Sequence, residues 1–321
     1  ATLNTINKAQ YFGISNNLQV RWNVLPSLYV ETAFSLNKQN GSSDKFFAAQ
    51  HSMFNNERDL KRKGSYEVGN NNALGYESLT TANYNRSFGK HLIYSTLGIN
   101  IASTSSNFYN VQTVGFPFDQ LDNLLFATQY KPDGRPTGDE STVRRLGLLL
   151  NANYAYDNRY LADISVRRDG SSQFGANRRY GTFWSAGLGW NVHNEAFFKE
   201  NPNVNRLKLR ASYGSSGSLN IPAYRAQTRY TFGVDNVYDG DLGAVIMGLG
   251  NTELGWHDVR TLNLGIDVTL FNERLDMRFD HYKSITHNTI TSVSLAPSNG
   301  FSSYSENLGK IQNTGYELYA R

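Results

Sequence analysis

The sequence predicts an all-β chain that forms part of a transmembrane antiparallel β-barrel with long extracellular loops. Three features favour this fold class: apolar and polar residues alternate with a period of two, the alternating segments are long, and short turns alternate with long connections. Side chains point to opposite faces of a strand in turn, so this alternation indicates that the two faces meet different surroundings. An apolar band about 25 Å tall, crossed at about 45°, needs roughly ten residues per strand.

Two hairpins are predicted in the first part of the chain. Each consists of two alternating segments that flank a short turn, which is the usual signal for paired antiparallel strands. The paired segments are 18–24 with 28–36, and 79–88 with 91–101. The surrounding sequence is polar and has no clear period. We therefore expect loops at 1–17, 37–74 and 102–141, with a short helix near 46–54.

Four amphipathic strands are predicted between residues 146 and 213. Their apolar faces carry residues such as Leu148, Leu188 and Leu209, while Arg, Asp, Asn and Lys occupy the alternate positions. A helical turn near 195–198 is expected to separate two of them. The same pattern returns after residue 260. The remaining expected elements are strands at 260–270 and 275–279, weaker strands at 224–232, 289–295 and 316–321, and a loop at 233–256.

The apolar faces of these strands must meet either lipid or a protein core. No run of about 18 apolar residues exists, which excludes a transmembrane helix but not a membrane barrel, whose strands are only half apolar. The alternative is a large soluble β-sandwich or β-solenoid with its apolar face inward. Charge on almost every polar face, and aromatic residues toward the strand ends, favour the membrane barrel.

The composition excludes several classes of protein. The 321 residues include no Cys, so disulfides and thiolate metal sites are excluded. The net charge is only +4, and neither a basic stripe nor an RNA-binding fingerprint is present, so we expect no nucleic-acid partner. The six His are scattered without metal-ligand spacing, and no phosphate-binding or dinucleotide fingerprint occurs. We therefore expect no catalysis and no cofactor.

Several motifs in the second half of the chain resemble those of one family. Residues 159–175, which include Arg-Arg-Asp-Gly-Ser-Ser at 167–172, resemble the "RY…RRDGSSRFG" signature of SusC/RagA-type TonB-dependent outer-membrane transporters. One departure is Phe183-Trp184-Ser185, where the family has "FPS". The resemblance spans most of the chain and is weakest in the expected long loops. The other matching motifs follow in the family's order at 180–190, 195–198, 207–214 and 307–317.

The resemblance implies a barrel of about 22 strands with a plug domain. We expect residues 1–321 to be a single β-barrel domain fragment, with the plug, the TonB box and the closing strands outside it. It also implies TonB-driven import of oligosaccharides or peptides across the outer membrane of a Gram-negative, Bacteroidota-type cell, with a SusD-like lipoprotein as lid. The alternative is a non-transporting outer-membrane barrel with a structural or surface-interaction role.

Charged residues at alternate strand positions are the main candidate site. If the apolar faces meet lipid, these charges face the barrel lumen, because Arg or Lys facing lipid near the midplane costs roughly 2–4 kcal/mol. Contact with the plug and hydration of the channel are the expected roles, with substrate contact as the alternative. The lumen-facing candidates are Asp163, Arg167, Lys208, Arg210, Asp267, Asp276, Arg278 and Asp280.

The family motif supplies a second candidate. Because Asp-Gly followed by serines favours a turn with side-chain hydrogen bonds to the backbone, the motif is predicted to shape a loop at the barrel rim. Contact with substrate or with a partner lid is the alternative. The motif residues are Arg168, Asp169, Gly170, Ser171 and Ser172.

Two further features of the expected loops remain open. The segment 235–246 weakly resembles a calcium loop through its Asp and Gly residues, although Val237 and Ile246 occupy two of the ligand positions. Aromatic residues in the loops either stack on sugar rings or pack against their own loop. The calcium candidates are Asp235, Asp239, Gly240 and Asp241, and the aromatic candidates are Tyr109, Phe116, Phe118 and Tyr238.

Overall fold

The structure is a computed structural model that describes residues 3–132, 134–198, 203–218, 221–238 and 240–321. Within those ranges it contains fourteen strands and five short 3-10 helices. The strands are β1 Thr5–Leu25, β2 Leu28–Phe47, β3 Ser65–Phe88, β4 His91–Val114, β5 Gln129–Tyr130, β6 Thr137–Tyr156, β7 Tyr160–Ser171, β8 Tyr180–Asn191, β9 Val204–Ser218, β10 Arg229–Tyr238, β11 Asp241–Gly248, β12 His257–Leu270, β13 Leu275–Ser294 and β14 Ser303–Ala320. The 3-10 helices are Ser52–Phe54, Leu60–Arg62, Leu124–Phe126, Val192–Asn194 and Pro297–Asn299.

The strands form one large sheet and one small ribbon. The order in the sheet is β1-β2-β3-β4-β6-β7-β8-β9-β12-β13-β14, with β5 paired to β4. β10 and β11 pair only with each other, so β9 lies directly beside β12. The prediction of an all-β, antiparallel fold is confirmed. No helix in the described part of the chain has both the length and the apolarity needed to cross a membrane.

The chain contains two compact units, each with its own small buried core. The first comprises Ala1–Leu18, Phe34–Glu77 and Ala102–Val143, and the second comprises Gln19–Ala33, Ser78–Ile101 and Arg144–Arg321. The core of the first unit is Phe46, Ala48, Tyr66 and Phe116. The core of the second unit is Phe174, Ile221, Ala226 and Leu254.

The long loops are shorter than the sequence predicted, because the strands extend beyond their apolar segments. β1 already begins at Thr5, and β2 continues to Phe47, so the first two expected loops are largely strand. The predicted loop at 233–256 instead contains most of the β10–β11 ribbon. These extensions do not show a sustained alternation of apolar and polar residues. Pairing of their backbone with a neighbouring strand is what holds them extended.

Burial in the sheet is inverted relative to a soluble protein. Leu188 is 68% exposed and Leu148 is 49% exposed, whereas Asp267 is only 6% exposed and Asp280 only 9% exposed. A soluble sandwich would bury the apolar face and expose the charged one. Apolar side chains left exposed in this number are the arrangement expected of strands that face lipid.

The short turns at one end of the second unit are joined by a polar network. Asp157 and Asn158 both have φ of +52°, the left-handed conformation that a two-residue hairpin turn requires. The Asp157 carboxylate binds Lys90 Nζ at 3.0 Å and Arg159 Nη2 at 2.8 Å. Glu195 in turn accepts hydrogen bonds from Arg159 Nη1 at 3.2 Å and from Trp190 Nε1 at 3.0 Å. This network fixes the ends of β6, β7 and β8 relative to one another.

Hydrogen bonding in this network favours the ionised form of Glu195. The bonds from Trp190 and Tyr160 hold the pKa of the Glu195 carboxyl below its usual value. A carboxyl whose pKa is lowered on folding stabilises the protein fully above its ordinary pKa, and this contribution is lost as the pH falls through the folded value. The network is therefore expected to weaken in acid.

Replacing an exposed residue of the apolar face with a charge tests which face meets lipid. In the full-length protein reconstituted in bilayers, we expect Leu188→Arg to lower the free energy of unfolding by about 2–4 kcal/mol, the cost of Arg near the midplane. Asn153→Arg is the matched control, because Asn153 is exposed on the opposite face of the sheet at nearly the same level as Leu188. Asn153 pairs with Asp163, and Asp163 pairs with Gly187, the neighbour of Leu188 in the chain. Equal destabilisation by the two variants, measured by urea unfolding, would contradict the assignment.

The decrease in stability at acidic pH tests the Glu195 network. We expect Trp190→Phe to lower the urea midpoint of the full-length protein, followed by circular dichroism, because it removes the largest cause of the lowered Glu195 pKa. The part of this decrease in urea midpoint that comes from the Glu195 charge should be constant above about pH 5. It should become smaller as the pH falls below the ordinary carboxyl pKa of about 4.3. In a Glu195→Gln background the effect of Trp190→Phe should not depend on pH. A pH-dependent effect there would show that another group is responsible.

Candidate functional site

The strand register brings all eight predicted charged residues to one face of the sheet. Residues directly opposite each other in paired strands share a face. Asp267 of β12 lies opposite Lys208 of β9 and opposite Arg278 of β13. Gly265 lies between Arg210 and Asp280 in the same way. The residues of β7 belong to this face too, because β7, β8 and β9 pair in continuous register. We call it the polar face.

Four of these residues form a connected ion-pair network, which we call the Arg210 cluster: Arg210, Asp267, Arg278 and Asp280. Arg210 binds Asp267 through two bonds, Nε to Oδ2 at 3.0 Å and Nη2 to Oδ1 at 2.9 Å. Its Nη2 also donates to Asp280 Oδ1 at 2.9 Å. Arg278 Nε completes the network with a bond of 3.2 Å to Asp267 Oδ1. Both carboxylates are buried and therefore depend on these arginines for compensation of their charge.

A glycine makes the Arg210 cluster sterically possible. A Cβ at Gly265 would lie 2.6 Å from Arg210 Nη2 and 2.5 Å from Asp280 Oδ1, so any other residue there would displace the guanidinium. The absence of a side chain lets Arg210 lie across β12 and reach carboxylates on two strands. The cluster therefore ties β9, β12 and β13 together along the polar face.

The other four candidates do not join this network. Asp163 is exposed and lies opposite Gly187, and Asp276 accepts a hydrogen bond from Thr269 Oγ1 at 3.0 Å near the β12–β13 turn. Lys208 lies opposite Asp267 in the register. Arg167 makes a separate pair with Asp169, Nε to Oδ1 at 2.7 Å and Nε to Oδ2 at 2.6 Å. Their assignment to a lumen remains a prediction.

The family motif does not form the predicted turn. Arg168, Asp169, Gly170 and Ser171 all lie in β7, which ends at Ser171, and the Asp-Gly pair is in the ladder with β6 and β8. Because neighbouring strands pair on both sides, the backbone stays extended where the local sequence favours a turn. The serines still bond at the strand end. Ser172 Oγ accepts from the Arg144 amide at 2.9 Å, and Ser171 Oγ accepts from the Gln173 amide at 3.3 Å.

Two aromatic residues on or beside the polar face were missed by the sequence analysis. Phe183 is the aromatic exception among Gly181, Ser185, Gly187 and Gly189, which share its face of β8. Trp256 precedes β12, and its ring lies 5.4 Å from that of Phe183 at an interplanar angle of 66°. A single aromatic residue at a polar position between glycines is the signal that would have identified Phe183.

These rings form one wall of a recess of about 400 Å³, which we call the Phe183 recess. Ser165, Arg167 and Asp169 of β7 also line it, and the other lining residues are Trp184, Ser185, Ser215, Ser216 and Gly217. The recess therefore combines aromatic surface with hydroxyls and one ion pair that is internally neutral. It lies entirely within the second compact unit.

The remaining candidates are the calcium-loop segment and the aromatic loop residues, and the structure places them in different surroundings. Asp239 lies outside the described residues, and the 235–246 segment belongs to the β10–β11 ribbon. Among the residues that the structure describes, no three His, Asp or Glu side chains are placed to hold a metal ion. Phe116 is fully buried against Phe46 and Tyr66 in the core of the first unit, so it is not available to a ligand, whereas Phe118 is exposed. Tyr109 is exposed in β4, and Tyr238 ends β10.

The chain is similar in sequence to a known protein family and to several named proteins. The protein-family description "TonB dependent receptor-like, beta-barrel" matches residues 2–321. The chain is 30% identical over 307 residues to TonB-dependent receptor P39 of Formosa agariphila, covering 95% of this chain and 28% of the relative. It is 28% identical over 274 residues to TonB-dependent receptor SusC of Bacteroides thetaiotaomicron, covering 79% of this chain and 26% of the relative.

A solved structure has the same fold. The RagAB peptide transporter superposes with a TM-score of 0.89 at 23% identity, covering 99% of this chain and 34% of that chain. The chain thus spans less than a third of the length of the curated relatives described above, and about a third of the solved one.

Removing the central arginine tests the Arg210 cluster. We expect Arg210→Met to lower the free energy of unfolding of the full-length protein by about 3 kcal/mol, because it leaves two buried carboxylates without their main partner. Arg206→Met is the control, since Arg206 is exposed on the same face of β9. Adding Asp267→Asn and Asp280→Asn to Arg210→Met should recover part of the loss. Urea unfolding in detergent micelles measures each change, and equal losses in the two Met variants would contradict the role of the cluster.

Proposed function

This chain belongs to the TonB-dependent receptor-like β-barrel family, and from that membership we propose that it forms the barrel part of an outer-membrane importer. The membership confirms the resemblance seen in the motifs of its second half. Members of this family are transporters and not enzymes. The proposed cargo is an oligosaccharide or a peptide, and the proposed energy source is the proton-motive force, transmitted through TonB.

The observation that carries the proposal is the inverted burial of the sheet together with the family match along residues 2–321. Exposed leucines and aromatic residues on one face suit contact with outer-membrane lipid, and paired charges on the other suit a water-filled or plug-filled interior. We assign the membrane-facing role to the apolar face and the lumen-facing role to the polar face.

Relatives support the choice of cargo and partner. One relative is named SusC and a structural neighbour is described as the RagAB peptide transporter. By analogy we propose a SusD-like lipoprotein lid as the partner of this protein and a glycan or a peptide as its substrate. Glycans and peptides of this kind are larger than the small solutes that enter by diffusion. Their uptake therefore requires active import.

The Arg210 cluster fits a structural role on the lumen wall. The charges of its two carboxylates are already compensated by Arg210 and Arg278, so these carboxylates need no further partner. Arg278 nevertheless keeps a side chain that is 61% exposed. We propose that it hydrates the lumen and binds the plug domain of the whole protein through this exposed guanidinium.

The competing function is a barrel that anchors or displays a surface partner without transport. Such a protein would share the lipid-facing sheet and would not need energy. Dependence of uptake on the proton-motive force therefore separates the two functions.

Uptake by cells that carry the full-length gene tests the proposal. We expect deletion of the gene to abolish accumulation of one fluorescently labelled oligosaccharide or peptide pool, and expect the restored gene to return it. A protonophore should abolish the restored uptake because TonB draws on the proton-motive force. A lipoprotein should also co-purify with the tagged full-length protein from detergent-extracted outer membranes.

The control solute is a monosaccharide that diffuses through general porins, whose entry should not depend on the gene. Restored uptake that persists after the proton-motive force has collapsed would contradict TonB-driven import. A deletion strain with unchanged uptake of every pool, but with loss of a surface partner, would establish the competing function.

A further inference from the structure

We propose that the Phe183 recess is a binding subsite for an uncharged sugar ring on the lumen wall. The inference rests on the proposed function, and it narrows the cargo from an oligosaccharide or a peptide to a neutral oligosaccharide. It depends on the position and rigidity of Phe183, on the neutrality of the recess and on its supply of hydroxyl groups.

The Phe183 ring lies across two glycines of the polar face. A Cβ at Gly181 would lie 2.6 Å from Phe183 Cζ, and a Cβ at Gly217 would overlap the same end of the ring. With no side chains at these two positions, the Cζ end of the ring lies close to the backbone of β8 and β9. The ring also lines the recess, and an aromatic ring is the kind of surface on which the C–H face of a sugar ring stacks.

Trp256 holds this ring in place and is itself held. Its Nε1 donates to the Arg179 carbonyl oxygen at 3.1 Å, and its ring lies 4.6 Å from that of Phe174. Phe174 is buried in the core of the second unit. The aromatic wall is therefore anchored to a packed core before any ligand arrives, which reduces the entropy lost on binding.

The charges in the recess cancel. Both Asp169 oxygens accept from Arg167 Nε, so the pair is neutral overall. The Arg167 side chain is 50% exposed, and its guanidinium carries further N–H donors besides Nε. A site for an anionic ligand would present a cation that is not already paired with a carboxylate. A site for a peptide with charged termini would present unpaired charges of both signs. A neutral ligand matches this arrangement.

Hydroxyl groups complete the complementarity. Ser165 and Ser185 lie opposite each other in the β7–β8 ladder, and Ser216 of β9 also lines the recess. A serine hydroxyl both donates and accepts hydrogen bonds, as a sugar hydroxyl does. Several such groups beside an aromatic ring suit a polyhydroxylated ring.

Ligand binding to the purified full-length protein tests the subsite. The probes are four neutral hexasaccharides (cellohexaose, maltohexaose, mannohexaose and xylohexaose) and a pool of neutral octapeptides, each titrated by calorimetry in detergent. We expect at least one hexasaccharide to bind, and expect Phe183→Ala to weaken its Kd about tenfold, the loss of one aromatic stacking contact.

Phe279→Ala is the matched control, because Phe279 is an exposed phenylalanine on the apolar face of β13. It should leave the Kd unchanged. Arg167→Lys is a second probe of the recess that keeps the charge and loses the planar donors, and it should weaken binding in the same direction. Circular dichroism of each variant verifies folding.

Each contrary outcome overturns a distinct statement. Hexasaccharide binding that is equally strong in Phe183→Ala and Arg167→Lys overturns the subsite and leaves the proposed import function standing. Binding of the octapeptides alone, or of no probe at all, overturns the assignment of a neutral sugar. The import function is judged separately, by the energy dependence of uptake in cells.

Discussion

The structure depends on one constraint, namely that each amphipathic strand segment separates two different surroundings. Because successive side chains alternate between faces, the exposed position of Leu188 and the buried position of Asp267 follow from the same pleat. A backbone that spans lipid must pair all of its amide and carbonyl groups, and antiparallel neighbours in register provide that pairing. The unusual burial of this chain is a consequence of both requirements.

The polar face shows how charge is accommodated beside a paired backbone. Glycine occurs where a charged or aromatic side chain comes close to the backbone, as at Gly265 beside Arg210 and at Gly217 beside Phe183. Compensation is local, with Arg210 shared by Asp267 and Asp280 and with Arg167 paired to Asp169. A wall built in this way presents fixed dipoles and ring faces with little net charge, which suits passage of a polar solute that should not be held tightly.

Family membership and local geometry contribute different parts of the functional argument. The match along residues 2–321 gives the class of protein, whereas the chain spans only part of each relative. The lipoprotein partner is therefore proposed by analogy, and the choice of a neutral sugar is argued from the chemistry of the recess. The candidate residues divide accordingly. The Arg210 cluster is internally satisfied and serves the integrity of the wall, while the Phe183 recess leaves ring surface and hydroxyls available to a ligand.

The sequence by itself determined the strand class, the assignment of residues to faces and the family, because alternation and short motifs are local properties of the chain. It did not reveal that β1 begins at Thr5, or that the Asp169-Gly170 pair lies within a strand, since pairing with neighbours overrode a local preference for loop or turn. Nor did it show that Arg210 reaches both Asp267 and Asp280, or that Trp256 meets Phe183. These contacts join residues far apart in the chain, and only the register of the strands brings them together.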